Sequence, residues 1–231
     1  MMMGPGSYIA EHIQGKTLEE ANREVKRLRM EIRRLKSTLE DESQPEGVMV
    51  HPSPEVRISV YRDYIEAARA YFEEQGWEYE PSKEEIKDQE FNESLDQLER
   101  IEVRYGGYLS RIISLTINFE GDEIKADRID MPHINLEDLI KIYFENVTRE
   151  ELLDEIRELH MGEWKRRYDN SDVLDGIQWS VRFLYDDGRE CKYYGSNKYP
   201  YNFGRFLDVM EIEPFSVNGE DADCLAELRG S

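Results

Sequence analysis

At Ile101 the apolar residues of this 231-residue chain change their period. Before that point they recur every three or four positions, as on one face of a helix; after it they alternate, as on a strand. Ile101, Val103 and Tyr105 alternate with charged residues up to Gly106-Gly107. Ile113, Leu115, Ile117 and Phe119 then alternate with polar residues, Glu120-Gly121-Asp122 turns the chain, and Ile124 and Ala126 continue. Strict alternation hides one face of a sheet and wets the other, so these stretches predict a three-stranded meander. A second alternation, Trp179, Val181, Phe183 and Tyr185, meets the turn Asp186-Asp187-Gly188 and returns through Cys191 and Tyr193. It predicts a hairpin. The fold class is therefore α+β: an N-terminal heptad helix and helical region, then an antiparallel sheet of hairpins with packed helices.

The heptad helix runs from Thr17 to about Glu40. Leu18, Ala21, Val25, Leu28, Ile32, Leu35 and Leu39 alternate spacings of three and four, which keeps one apolar stripe facing a partner helix. The stripe makes Leu18, Val25, Leu28, Ile32, Leu35 and Leu39 the candidate association residues. Their partner is either a second copy of the chain or a later helix of the same one. Thr17 with Glu20 forms a capping box, and Ser82 with Glu85 and Thr148 with Glu151 repeat it. Ser53-Pro54 opens another helix, with Tyr64, Ile65, Ala68 and Phe72 on its apolar face and Gly76 at its end. A helix is expected from Asn135, and a short one around Phe203, Phe206, Leu207 and Met210. The organisation expected is an arm over 1–42, a linker over 43–54, a helical region over 55–100, an α+β domain over 101–213 and an acidic tail over 214–231. Gly4-Pro5-Gly6-Ser7 reads as a cloning remnant.

Charge sorts the partners. The chain has 51 acidic and 30 basic side chains, a net of −21, which argues against a general nucleic-acid binder. Residues 1–42 are neutral, with 8 of each sign, so the surplus lies beyond them. The basic side chains of the arm, Arg23 to Lys36, suit either an acidic partner or a solvated face on which Glu24 and Glu31 form local pairs. No run of about 18 apolar residues exists, and a membrane partner is not expected. Two cysteines, Cys191 and Cys224, cannot build a disulfide framework, and no charged segment followed by an apolar run opens the chain. Both features point to a reducing, cytoplasmic setting.

Motifs for chemistry are sparse. His12, His51, His133 and His160 lack metal-ligand spacing, Asp169, Asp172 and Asp175 do not follow a calcium-loop pattern, and no phosphate-binding or dinucleotide glycine loop occurs. No cofactor or metal is expected. Cys191, inside an alternating strand, reads as an inert core thiol. Gly195-Ser196-Asn197 either offers amides to an anion or turns the chain through positive φ. Tyr193, Tyr194, Tyr199 and Tyr201 crowd near Trp179, and an exposed subset would make a rigid binding face. The stretches Ser114–Gly121 and Ser180–Gly188 share an alternating strand, an aromatic and an acidic-glycine turn, which raises a hairpin-helix duplication.

Asp175-Gly176-Ile177-Gln178-Trp179-Ser180, followed by Tyr194-Gly195-Ser196-Asn197-Lys198-Tyr199-Pro200, resembles the C-terminal pattern of uncharacterised cytosolic proteins of Gram-positive bacteria. In those a tryptophan-bearing strand and a GSN-x-YP segment precede a short helix. The resemblance covers roughly the last 40 residues and brings no settled activity and no catalytic residues. The functional expectation is a non-enzymatic protein-interaction protein. Its acidic body would bind a basic partner, and its N-terminal helix would self-associate or dock. The alternative is an enzyme of unrecognised class with a pocket beside the GSN-x-YP turn. In both readings Trp179, Tyr194, Gly195, Ser196, Asn197, Tyr199 and Tyr201 are the candidate binding residues.

Overall fold

Among the described residues, helices precede Leu98, and the strands, with further helices between and after them, follow it. The computed structural model describes residues 3–41, 51–107, 111–131, 144–170 and 176–213. Its contacts divide the chain into two units: Met1–Lys87 with Lys198–Tyr201, and Asp88–Asn197 with Asn202–Ser231.

The first unit is helical: α1 (Pro5–His12), α2 (Leu18–Leu39), α3 (Pro54–Glu74) and the start of α4 (Lys83–Ser94). The Thr17–Glu20 capping box is formed, and its backbone hydrogen bond holds the Glu20 carboxyl below the usual carboxylate range. Ser53 caps α3 by accepting from the Val56 amide. Val25, Leu28, Ile32 and Leu35 are buried in one core with Ile58, Tyr64, Ile65, Ala68 and Phe72 of α3. Of the two partners open to the heptad seam, the structure supplies the one within the chain. Leu18, at the start of the seam, remains exposed.

Gly4–Ser7 begins α1: Gly4 is its N-cap and Pro5 its first residue, where a missing amide costs nothing. Tyr8 of α1 stacks on Tyr64 of α3 with ring centroids 4.0 Å apart. Its hydroxyl donates to Glu24 of α2, and burial followed by that acceptor pushes its pKa up. The cations of α2 are largely answered within the unit. Arg27 pairs with Glu24, Arg34 with Glu31, Arg33 with Glu84 and Arg29 with Glu85. The arm is thus a solvated, ion-paired face.

The second unit is built on a six-stranded sheet of order β3-β2-β1-β5-β6-β4. The strands are β1 (Leu98–Gly107), β2 (Ile112–Glu120), β3 (Glu123–Met131), β4 (Arg167–Asp169), β5 (Ile177–Tyr185) and β6 (Glu190–Ser196). The expected meander is β1-β2-β3 and the expected hairpin is β5-β6; all neighbours are antiparallel except β4 and β6. Leu98, which sequence spacing assigns to a helix, starts β1 beside a register shift at Leu98/Arg100. On one face Ile101, Val103, Ile113, Leu115, Ile117, Trp179, Val181 and Phe183 are buried. The same unit's core holds Leu152, Leu153 and Ile156 of α5 (Arg149–Glu158) and Phe203, Phe206 and Leu207 of α6 (Phe203–Val209). The helix expected from Asn135 and the tail after Glu213 lie outside the described residues.

The two similar hairpins share this sheet, on opposite sides of β1. Val103 faces Leu115 of β2 on one side and Val181 of β5 on the other. Since β2 and β5 are both antiparallel to β1, they run the same way with the same face inward. Their return strands then turn to opposite sides. A rotated copy keeps its hand, so no rotation superposes the pair, and their likeness is that of two hairpins built by one alternation rule.

Leu28 is fully buried in the helical core, so Leu28→Ala should remove about 2–5 kcal/mol of stability in urea unfolding. Arg34→Ala, which removes only an exposed pair with Glu31, should stay within about 1 kcal/mol of the parent.

Candidate binding surface

The residues singled out in β5 and β6 lie side by side. Gln178 faces Ser196, Trp179 faces Gly195 and Ser180 faces Tyr194. Alternation sends every second pair to the core. Trp179 is buried against Phe203, Tyr168 and Trp164, with centroids 4.6, 5.9 and 6.2 Å away. Gly195 lets that indole approach: a Cβ there would lie 2.5 Å from Trp179 Nε1 and 2.6 Å from the Tyr168 carbonyl oxygen. Asn197 takes the left-handed conformation (φ 52°), and its amide donates to the Ile177 carbonyl at 2.9 Å. Its side chain covers Gly176, where a Cβ would meet Asn197 Oδ1 at 1.8 Å. The two glycines therefore make room for Trp179 and Asn197, which explains why these strings occur together.

Of the predicted binding residues, Trp179 and Gly195 face the core, while Tyr194 and Ser196 face the other side of the sheet. Tyr194 is exposed. Asn197 sits at the strand end. Tyr199 and Tyr201 belong to the helical unit. There Arg62 donates to the Tyr201 hydroxyl at 2.9 Å, and Lys36 Nζ lies 4.9 Å from its ring centre.

The outward side of the sheet is polar and partly charged. Register places Ile129, Ser114, Arg104, Ser180, Tyr194 and Arg167 in one row across all six strands. The adjoining row is Asp127, Thr116, Glu102, Arg182 and Lys192. In it Arg182 donates to Glu102 at 2.6 Å and to Glu190 at 2.9 Å. The Glu190 carboxyl lies below its ordinary range, chiefly through this hydrogen bond. Arg104 and Lys192 are exposed. Sequence reasoning singles out Tyr194 and Ser196 on this face but passes over Arg104, Ser114 and Ser180, because only the strand register joins them.

Two clusters carry acid–base or thiol groups. Asp88, buried on α4, lies 2.6 Å from His160 Nδ1 and accepts from the Gly162 amide at 3.2 Å. His160 is itself left-handed (φ 50°) at the turn after α5. Both Asp88 oxygens are engaged, so the carboxylate fixes the ring and ties the turn to α4. Arg166 donates to the buried Cys191 Sγ at 2.8 Å, and its guanidinium carbon lies 5.1 Å from the centre of the Tyr193 ring. Burial, then the neighbouring Cys191, pushes the Tyr193 hydroxyl up. Among the described residues no group of three His, Cys, Asp or Glu side chains could hold a metal ion, and no helix is long and apolar enough to cross a membrane.

No protein family, curated protein or solved structure matches this chain. The residue roles therefore rest on geometry.

Gly195→Ala should lower stability by about 1–3 kcal/mol, because the new methyl meets both an indole and a backbone carbonyl; thermal unfolding measures it. Asp88→Ala strands the Gly162 amide and the His160 ring and should cost about 1–3 kcal/mol in denaturant titration.

Proposed function

We propose that this chain is a non-enzymatic interaction protein whose acidic sheet unit captures a basic partner protein. The observation that carries the reading is where the charge sits. The sheet unit has 33 acidic against 16 basic side chains, while the helical unit has 18 against 14. Glu150, Glu151, Asp154, Glu155 and Glu158 of α5 are all exposed. Arg157 alone is shared by Glu150, Asp154 and Asp96. Such a field speeds encounter with a cationic surface, and salt screens it over about 8–10 Å. The free thiol of Cys191 suits a reducing cytosol as the setting. Self-association through α2 is the second partnership in this reading. With most of the seam buried by α3, Leu18 and Met30 are the large apolar residues that α2 leaves exposed for it.

A labelled oligolysine peptide serves as the probe. Its affinity for the full chain should fall at least tenfold between about 50 mM and 200 mM salt when several charge contacts form. Replacing Glu150, Asp154, Glu155 and Glu158 with Gln or Asn should weaken it by a similar factor while the circular dichroism stays unchanged. Binding that ignores both salt and these substitutions overturns the electrostatic reading. Light scattering tests the second partnership: a full-length dimer that Leu18→Ser with Met30→Ser converts to a monomer supports it, and a full-length monomer removes it.

A further inference from the structure

Among the described residues, the arginines of the wet sheet face are paired with carboxylates, with one exception. Arg100 lies 3.7 Å from Glu102, Arg182 pairs with Glu102 and Glu190, and Arg167 pairs with Asp169. Arg104 has no hydrogen-bond or ion-pair partner among the described residues, although the chain carries 51 carboxylates. It stands on β1, inside the sheet, and is exposed. Both of its cross-strand neighbours are serines, Ser114 on β2 and Ser180 on β5. Opposite charges commonly occupy such positions in an antiparallel pair. Here two hydroxyls flank an unanswered guanidinium, a donor set shaped for a carboxylate.

The same face offers an apolar foothold nearby. Ile129 faces Ser114 from β3, and Met131 faces Ile112 two pairs along, on the same side of the sheet. Both are exposed, at 53% and 50%. Strands lie about 4.8 Å apart, so Ile129, two strands from Arg104, is roughly 10 Å away. An extended peptide rises about 3.3 Å per residue, so about three residues span that distance.

We propose that the open sheet face docks an acidic peptide segment of a partner protein, with a Glu or Asp on Arg104 between Ser114 and Ser180 and an apolar side chain on Ile129 and Met131. The occupant is argued from charge complementarity: an anionic group meets the arginine of the face that has no partner among the described residues. A nucleic acid fits less well, because Tyr194 is the only aromatic in the row and a polyanion needs a line of free cations. This site offers a cation where the surface proposed above offers carboxylates, and it does not depend on that surface.

The test is selection of a random octapeptide phage library against the full-length chain. Enriched peptides should carry Asp or Glu about three positions from an apolar residue. A synthetic enriched peptide should lose at least tenfold in affinity on Arg104→Glu and several-fold on Ile129→Ser. Ser180→Asp, which supplies Arg104 with an internal carboxylate, should also weaken it at least tenfold. Oligolysine binding should not weaken in any of the three variants, since none removes a carboxylate, which separates this surface from the acidic one; unchanged circular dichroism and thermal unfolding show that the variants are folded. Enriched peptides without an acidic residue, or equal affinity for Arg104→Glu, overturn the proposal. So does a short oligothymidylate that binds through Arg104 when no acidic peptide is enriched.

Discussion

The indole of Trp179 lies against the bare backbone of β6 at Gly195, and much of the sheet unit is assembled around that contact. With no side chain between them, the ring is seated in the sheet and offers its other contacts to Trp164, Tyr168 and Phe203. Trp164 then meets Tyr193 and Phe206, and its Nε1 donates to Asn202, whose amide in turn reaches the Leu159 carbonyl. One close approach thus fixes the start of α6 and the turn after α5. The Asp88–His160 pair fastens the same turn to α4. Aromatic contact supplies most of this adhesion, and the hydrogen bonds set its direction.

The charges of the sheet unit are arranged by element. On α5 several carboxylates share one arginine, so a negative field reaches into solvent. On the wet face of the sheet, Arg100 and Arg182 lie against Glu102 and Glu190, so these charges largely cancel. Against that balanced background a guanidinium without a partner among the described residues has weight. Net charge alone, at −21, conceals it.

The sequence discloses elements better than their arrangement. Capping boxes at Thr17, Ser82 and Thr148 mark helix starts correctly because they depend on residues three apart. Alternation marks β1, β2, β5 and β6 for a similar reason: it is a local pattern. α1 escapes because Gly-Pro-Gly-Ser reads as a cloning remnant, and Tyr8 stacking on Tyr64 is what packs the helix. β4 escapes because three residues hold barely one alternation. The pairing of β1 with β5 brings together positions about 80 residues apart, which no local period encodes. The site follows the same logic. Tyr194 and Asn197 draw notice by residue type, whereas Arg104 gains meaning only once Ser114 and Ser180 are known to flank it.

The helical unit includes four residues, Lys198–Tyr201, taken from the middle of the sheet unit's sequence. Tyr201, held there by Arg62 and Lys36, is encoded far downstream of the helices it joins. A gene fragment ending at residue 87 would encode the helices without that clasp, and one starting at residue 88 would carry the clasp without its socket. Cutting the chain between residues 87 and 88 therefore takes from the helical unit a tyrosine that it holds by a hydrogen bond and a cation above the ring.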